Sequence, residues 1–256
     1  MGGVIYGIPI IEPESVITYS FDCILIAIYD FGAIREVKEY LTGIGVSQEK
    51  VIAMALEPQF VDAFEDQRMR FIKDYAKWSH DKDMLGNVAE CGVFRGDSAK
   101  FINKYFPNKR LYLFDTFEGF EQTDIEYEIK LGDEAYNTGK FTSKEMFEKT
   151  NVKLMMKKMQ NPQNIQICKG CFPLTTEGIE DKFCFVNLDM DLYLPTLNGL
   201  RYFWCRMVED GCVLLHDYFR IDLSGVKKAV EDFEKENNII LKKIPIGDGC
   251  SIALIK

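Results

Sequence analysis

The sequence predicts an α/β protein: a doubly wound, Rossmann-like sheet preceded by a small N-terminal βαβ fragment. Three observations carry that expectation. From Asn87 onward, short apolar runs alternate with longer segments of helical character, the pattern of strands interleaved with helices. Runs such as Val213-Leu214-Leu215 are continuously apolar, as a strand covered on both faces requires. The first of these runs ends in a glycine turn that opens a helix, which is how a doubly wound sheet presents its ligand-binding edge.

In chain order, residues 1–56 read as a strand at Cys23 to Ile28, an amphipathic helix from Phe31 to about Ile44 ended by Gly43 and Gly45, and a strand at Lys50 to Ala53. A fragment this short cannot bury both faces of its strands alone. It is similar to the distal half of the small Rossmann-like units of polysaccharide-biosynthesis proteins, without the half that bears a glycine-rich loop. The expected role is therefore docking or assembly, with a homo-oligomer as one outcome. Pro58 marks the boundary. A helical lead-in follows (57–86), with Phe60, Phe64, Phe71, Tyr75 and Trp78 near helical spacing as core residues. Then come a strand at Val88 to Cys91, a helix at Ser98 to Phe106 and a strand at Arg110 to Phe114. Further strands are expected at Ile165 to Cys168, Phe183 to Asp189, Cys212 to His216, Ile239 to Lys243 and Ser251 to Ile255.

Composition narrows the functions. A chain of 256 residues that is 47% hydrophobic can bury a large core. Its longest apolar run, Cys23 to Tyr29, is far below the roughly 20 residues that span a bilayer. With no leader-like opening, the expected location is the cytoplasm. A formal charge of −9 without a basic stripe argues against nucleic acid. The eight cysteines sit mostly in apolar runs, as reduced thiols do. Cys168 and Cys171 form a single C-x-x-C with no second pair, so it reads as a strand end and turn rather than a zinc or redox site.

The turn Glu90-Cys91-Gly92-Val93-Phe94-Arg95-Gly96-Asp97-Ser98 lacks the dinucleotide G-x-G-x-x-G spacing and carries a carboxylate on either side. A pyrophosphate there would meet Glu90 and Asp97. A phosphate-free nucleoside bearing a sulfonium and an ammonium fits that charge better. Asp115 closes the next strand, 25 residues after Glu90, where a carboxylate can accept both hydroxyls of a ribose. Gly92 and Gly96 supply the turn.

With these residues in view, the chain resembles the macrocin and mycinamicin O-methyltransferases (TylF-like) and relatives encoded with bacterial polysaccharide genes. The stretches AECGVFRGDSA, LFDTFEGF, KGCFPLT, VNLDMDLYLPTLNGL, EDGCVLLHDYF, GVKKAVEDF and IGDGCSIALIK carry the resemblance. It implies a class I methyltransferase that uses S-adenosylmethionine, held by Glu90, Gly92, Ser98 and Asp115. It also implies Mg2+ at Asp189 and Asp217, beside the hydroxyl of a sugar or glycan precursor. Those two aspartates fall at the ends of strands that are neighbours in this topology, where clustered carboxylates need a cation or a proton between them.

One departure stands out: His216-Asp217-Tyr218 occupies the place of Asp-Asp-Tyr in the antibiotic-sugar members. Imidazole is a poor magnesium ligand, so the site holds its metal more weakly, prefers Mn2+, or uses His216 as a base; His216 packed as a core histidine is the plainer alternative. The expected metal set is thus Asp189, Asp217 and His216, with Asp189 or His216 as proton acceptor. Asp191 reads as a helix cap or supporting carboxylate, and His80 as solvated. The segment 116–162 is longer than an ordinary connection and is expected to be a lid, with a helix opened by a Thr142/Glu145 capping box and Met155, Met156 and Met159 as packing residues. Two rival functions share parts of this pattern: a nicotinamide oxidoreductase, disfavoured by the loop spacing and Glu90, and a catalytically silent nucleoside-binding partner in a glycan-assembly complex.

Overall fold

A computed structural model describes residues 4–5, 8–28, 31–57, 66–132 and 150–256. The expected positions of Pro58, Phe60 and Phe64, and of the Thr142/Glu145 capping box, lie outside the described residues. The chain divides into two compact units, Met1–Asp62 and Ala63–Lys256.

In the first unit, β1 (Val4–Ile5) and β2 (Ile8–Pro9) form an antiparallel pair. β3 (Ile24–Ile26) and β4 (Val51–Ala53) pair in parallel, joined through the helix α1 (Phe31–Gly43). Ile26, Ile34, Leu41, Val46 and Val51 bury the small core of this βαβ piece.

The second unit opens with α2 (Gln67–Asp81), whose N-terminus is capped by Asp66: its carboxylate accepts from Met69 N at 2.9 Å. Then follow β5 (Asn87–Cys91), α3 (Ala99–Tyr105), β6 (Leu111–Asp115), α4 (Gln122–Leu131), α5 (Val152–Lys157), β7 (Ile165–Lys169) and β8 (Phe183–Leu188). The unit closes with α6 (Tyr193–Trp204), β9 (Met207–Leu215), α7 (Ser224–Asn237), β10 (Lys242–Pro245) and β11 (Ile252–Ile255). One seven-stranded sheet runs β10-β11-β9-β8-β5-β6-β7. The five strands from β9 to β7 pair in parallel, whereas β10 and β11 add antiparallel at one end. The order reverses between β5 and β8, so the carboxyl ends of those two strands flank the crevice where such a sheet binds ligands.

Two expected strands shift. β9 starts at Met207, five residues before Cys212: Met207 pairs with Phe183, the register shifts across Glu209-Asp210-Gly211, and pairing resumes with Cys212 opposite Phe185. The last antiparallel hairpin uses Lys242–Pro245 rather than Ile239 to Lys243, its register set by Lys242 opposite Ile255; Ile240 is left exposed.

A register irregularity between Phe183 and Phe185 decides what lies on each face of β8. Phe183, Val186 and Leu188 join the core that contains Leu197, Leu200 and Phe203 of α6. Phe185 turns the other way, its ring 5.6 Å from Tyr75 of α2 and 5.5 Å from Phe106 at the end of α3. Asn187 therefore falls on the α2 side, where it meets Glu90 of the neighbouring strand, while Ala89 and Cys91 face the larger core.

Candidate active site

A cavity of about 390 Å³ opens at the carboxyl ends of β5, β6 and β8. Its wall includes the turn from Gly92 to Ser98, Asp115, the segment Gly170-Cys171-Phe172 after β7, and Asp189-Met190-Asp191 after β8. The size falls in the range of small-ligand and cofactor sites. Two non-glycine residues of its wall hold left-handed backbone, Phe94 (φ 50°) and Asp191 (φ 60°), as do Phe117 (φ 55°), next to Thr116 of the wall, and Asp217 (φ 61°), clustered with Asp191. Strain of this kind persists where surrounding structure fixes a side chain for a task.

The glycine turn is shaped by what lies behind it. A Cβ on Gly92 would sit 1.8 Å from the Asp189 carbonyl oxygen, so only glycine lets β5 and β8 close together here. A Cβ on Gly96 would meet Met155 Cγ at 2.4 Å. The buried Lys158 ammonium, just past α5, donates to the Arg95 carbonyl at 2.9 Å and to Asp97. The segment after residue 150 thus braces the turn.

Asp115 supports the same turn from the next strand. Its Oδ2 accepts from Val93 N and Phe94 N, both at 2.7 Å, and its Oδ1 accepts from Phe117 N at 2.6 Å. Each carboxylate oxygen can accept more than one bond, so room for a diol remains at the cavity wall. Glu90 is fully buried and lies behind the turn, not on the wall. Ser98 Oγ donates to its Oε1, as does Asn187 Nδ2 at 2.8 Å, and Oε2 has no hydrogen-bond partner among the described residues. Burial pushes this carboxyl up to about 8, against the pull of those two donors.

The acidic edge is organised differently. Asp189 Oδ2 accepts from Arg68 Nη1 of α2 at 2.7 Å, and its Oδ1 lies 3.0 Å from His216 Nδ1. The same nitrogen is 2.9 Å from Asp217 Oδ2, off the hydrogen-bonding direction of both oxygens. Burial alone would raise the Asp189 carboxyl, but Arg68 and His216 outweigh it and hold the group well below the usual range. Burial alone would lower His216, and Asp189 with Asp217 instead pushes it up to about 12. Asp191 moves the opposite way from Asp189, raised by burial and by Asp189 and Asp217.

Asp189, Asp191 and Asp217 bring carboxylate oxygens within 4.8 Å of one another. An oxygen-ligated divalent cation spans about 4–5 Å between opposite ligands, so this donor set fits Mg2+ or Mn2+. The cavity beside the glycine turn likewise fits a nucleoside with a ribose at Asp115.

The family model described as macrocin O-methyltransferase (TylF) matches residues 58–251. The chain belongs to the TylF family. It is an S-adenosylmethionine-dependent O-methyltransferase. No curated protein matches its sequence. Among solved structures, the O-methyltransferase NovP is 18% identical, covers 74% of this chain and 79% of its own, and superposes with a TM-score of 0.63. The calicheamicin methyltransferase CalS11 is also 18% identical, over 89% of this chain and 94% of its own, with a TM-score of 0.53. At these identities the likeness establishes the shared Rossmann-like fold.

Against the TylF-like expectations, the structure brings Gly92, Gly96, Ser98 and Asp115 to one turn and Asp189, His216 and Asp217 to one cluster. Glu90 and the Ser98 hydroxyl are spent on each other rather than exposed to the cavity. Asp191 caps no helix here: α6 takes its cap from the buried Glu128, which accepts from Tyr193 N, and Asp191 instead lines the cavity in the carboxylate set. Three cluster members were not singled out from the sequence as site residues: Asp191, Arg68 and Cys250. Arg68 sits among the aromatic residues of the lead-in helix, and only its charge on an otherwise buried face could have marked it. Cys171 lines the cavity and Cys168 is buried beside β6; both are free thiols. His80 is exposed. No helix among the described residues is long and apolar enough to cross a membrane.

Proposed function

We propose that this enzyme methylates a hydroxyl of a sugar or glycan precursor, with a divalent cation at Asp189, Asp191 and Asp217. The observation that carries the reading is a cavity walled at one end by the glycine turn with Asp115 and at the other by Asp189 and Asp191. The family description as a macrocin O-methyltransferase supports a sugar acceptor. When bound, S-adenosylmethionine supplies a methyl on a cationic sulfur, and a divalent cation supplies Lewis acidity that lowers the pKa of a coordinated hydroxyl.

The chain's own residues account for the rest. Asp115 and the turn from Gly92 to Ser98 bind the nucleoside and set its direction. Phe114, Phe120 and Phe172 line the cavity and exclude water from the charged centre. The acceptor hydroxyl must lose its proton as its oxygen takes the methyl group. Asp189 accepts from Arg68 on one oxygen and faces His216 with the other, and both partners lower its basicity. Asp191 faces the cavity: burial beside Asp189 and Asp217 keeps it protonated until a cation enters the cluster, and with that cation bound it is the carboxylate placed to take the proton. Residues 116–162 act as a lid over the acceptor, and residues 1–56 serve docking or assembly of a homo-oligomer.

The test is methyl transfer from labelled S-adenosylmethionine to a panel of nucleotide sugars and glycan precursors, with Mg2+, Mn2+ or excess chelator. Acceptor methylation that stops in chelator while S-adenosylhomocysteine still binds is the expected result. Binding without transfer under every condition would favour a silent nucleoside-binding partner, and NADH binding in calorimetry would favour an oxidoreductase.

A further inference from the structure

His216 has two faces, and the carboxylates account for only one. Its Nδ1 looks at Asp189 and Asp217, while its Nε2 lies 3.5 Å from Cys250 Sγ. The same sulfur lies 3.4 Å from Asp217 Oδ1, the oxygen that does not face Nδ1. These three donors fall within 4.8 Å of one another, a second grouping that shares only Asp217 with Asp189, Asp191 and Asp217.

The spacing is that of ligands around a small tetrahedral ion. With bonds of about 2.3 Å to sulfur and about 2.0 Å to nitrogen or oxygen, tetrahedral angles put sulfur about 3.5 Å from either partner. Metal-bound histidines commonly have a carboxylate beside their other ring nitrogen, and Nδ1 lies 3.0 Å from Asp189 Oδ1 and 2.9 Å from Asp217 Oδ2. Backbone contacts hold the thiol in place. Phe219 N donates to the Cys250 carbonyl at 3.1 Å, and Asp248 Oδ1 accepts from Cys250 N at 2.9 Å and Ser251 N at 2.7 Å. Asp217 is buried, and Cys250 is half-buried, which leaves an approach from solvent.

We propose that Cys250 Sγ, His216 Nε2 and Asp217 Oδ1 form a site for a thiophilic divalent cation of the zinc class, back to back with the carboxylate set. Thiolate and imidazole select such ions over Mg2+, so the two sites sort cations by softness. Binding forms sulfur–metal and nitrogen–metal bonds and releases two protons to solvent, one from the thiol and one from Nε2 of the imidazolium. Because one imidazole joins both clusters, an ion on Nε2 fixes the ring whose Nδ1 faces Asp189. The inference does not depend on the carboxylates holding a metal or on the acceptor being a sugar.

Co2+ is the probe, added to full-length protein stripped of metal, with the exposed Cys23 and Cys205 replaced by Ser and Mg2+ in excess. A near-ultraviolet thiolate-to-cobalt charge-transfer band at one equivalent is the expected result. Cys250→Ser should abolish the band and weaken cobalt binding by roughly tenfold or more, and His216→Gln should weaken it comparably. Zn2+ should displace the cobalt, whereas Mg2+ should not. No band in the parent protein would overturn the proposal whatever the variants do. A band that survives Cys250→Ser, or that Mg2+ removes, would overturn it too.

Discussion

The two ends of the cavity hold their carboxylates by opposite means. At the glycine turn, Asp115 is satisfied by three backbone N–H groups, and Glu90 by neutral Ser98 and Asn187 with its own pKa raised. At the acidic edge, Asp189 and Asp217 are faced by cations, Arg68 and His216. The difference separates geometry from charge. Carboxylates held by neutral donors are fixed parts of a scaffold, whereas a cluster balanced by cations changes state when a cation or proton enters or leaves. The same residue type therefore shapes a cofactor turn at one end and handles charge at the other.

If that contrast is right, the largest effect belongs to the acidic edge. Asp191→Asn should lower kcat by about 10²–10⁴-fold while leaving S-adenosylhomocysteine affinity within about twofold, read by steady-state kinetics and calorimetry. An unchanged kcat would remove Asp191 from the chemistry.

Next comes Arg68→Met, which strips one cation from a largely buried pair and should cost about 3–5 kcal/mol in denaturant unfolding. Saturating Mg2+ should restore part of that loss by binding the same carboxylates. Full stability without any cation would mean that Arg68 does not balance the cluster.

Glu90 tests the other end through pH. Its folded pKa is raised from 4.5 to about 8, so its contribution to stability is complete below the unfolded value and is lost as pH rises through about 8. Glu90→Gln cannot ionise, so its stability relative to the parent protein should grow across that window, by about 5 kcal/mol. A constant difference from pH 5 to pH 8 would show that Glu90 is not held protonated.

Asp115→Ala should weaken S-adenosylhomocysteine binding by roughly tenfold or more, because it removes both the diol acceptor and the brace of the turn. The smallest expected effect is on the first compact unit. Every cavity residue lies between Arg68 and Pro195, so a chain lacking residues 1–56 should keep its cofactor affinity while its oligomeric state or solubility changes. Loss of cofactor binding with mass and solubility intact would contradict the docking role.

The sequence made the contrast only half legible. Glu90, Asp115, Asp189 and Asp217 stand at the ends of apolar runs, and a strand end is a local feature. Which donors face those carboxylates is not local: Arg68 is 121 residues from Asp189, and the separation carries no pattern. Cys250 reaches His216 across a hairpin whose register depends on pairing with β9. Asp191 looked like a cap because it precedes a helix, yet its left-handed backbone turns it into the cavity and Glu128 of α4 supplies the cap. The shifted strands have similar causes. Glu209-Asp210-Gly211 hid the start of β9, and the Ile239-Ile240 pair mimicked a strand that pairing places three residues later.

The most direct test of the whole arrangement is diffraction at the manganese absorption edge from crystals grown with S-adenosylhomocysteine and Mn2+. The expected result is an anomalous peak among the carboxylates of Asp189, Asp191 and Asp217, with the ribose on Asp115 in the same cavity. Manganese bound elsewhere, or a nucleoside seated away from Asp115, would contradict it.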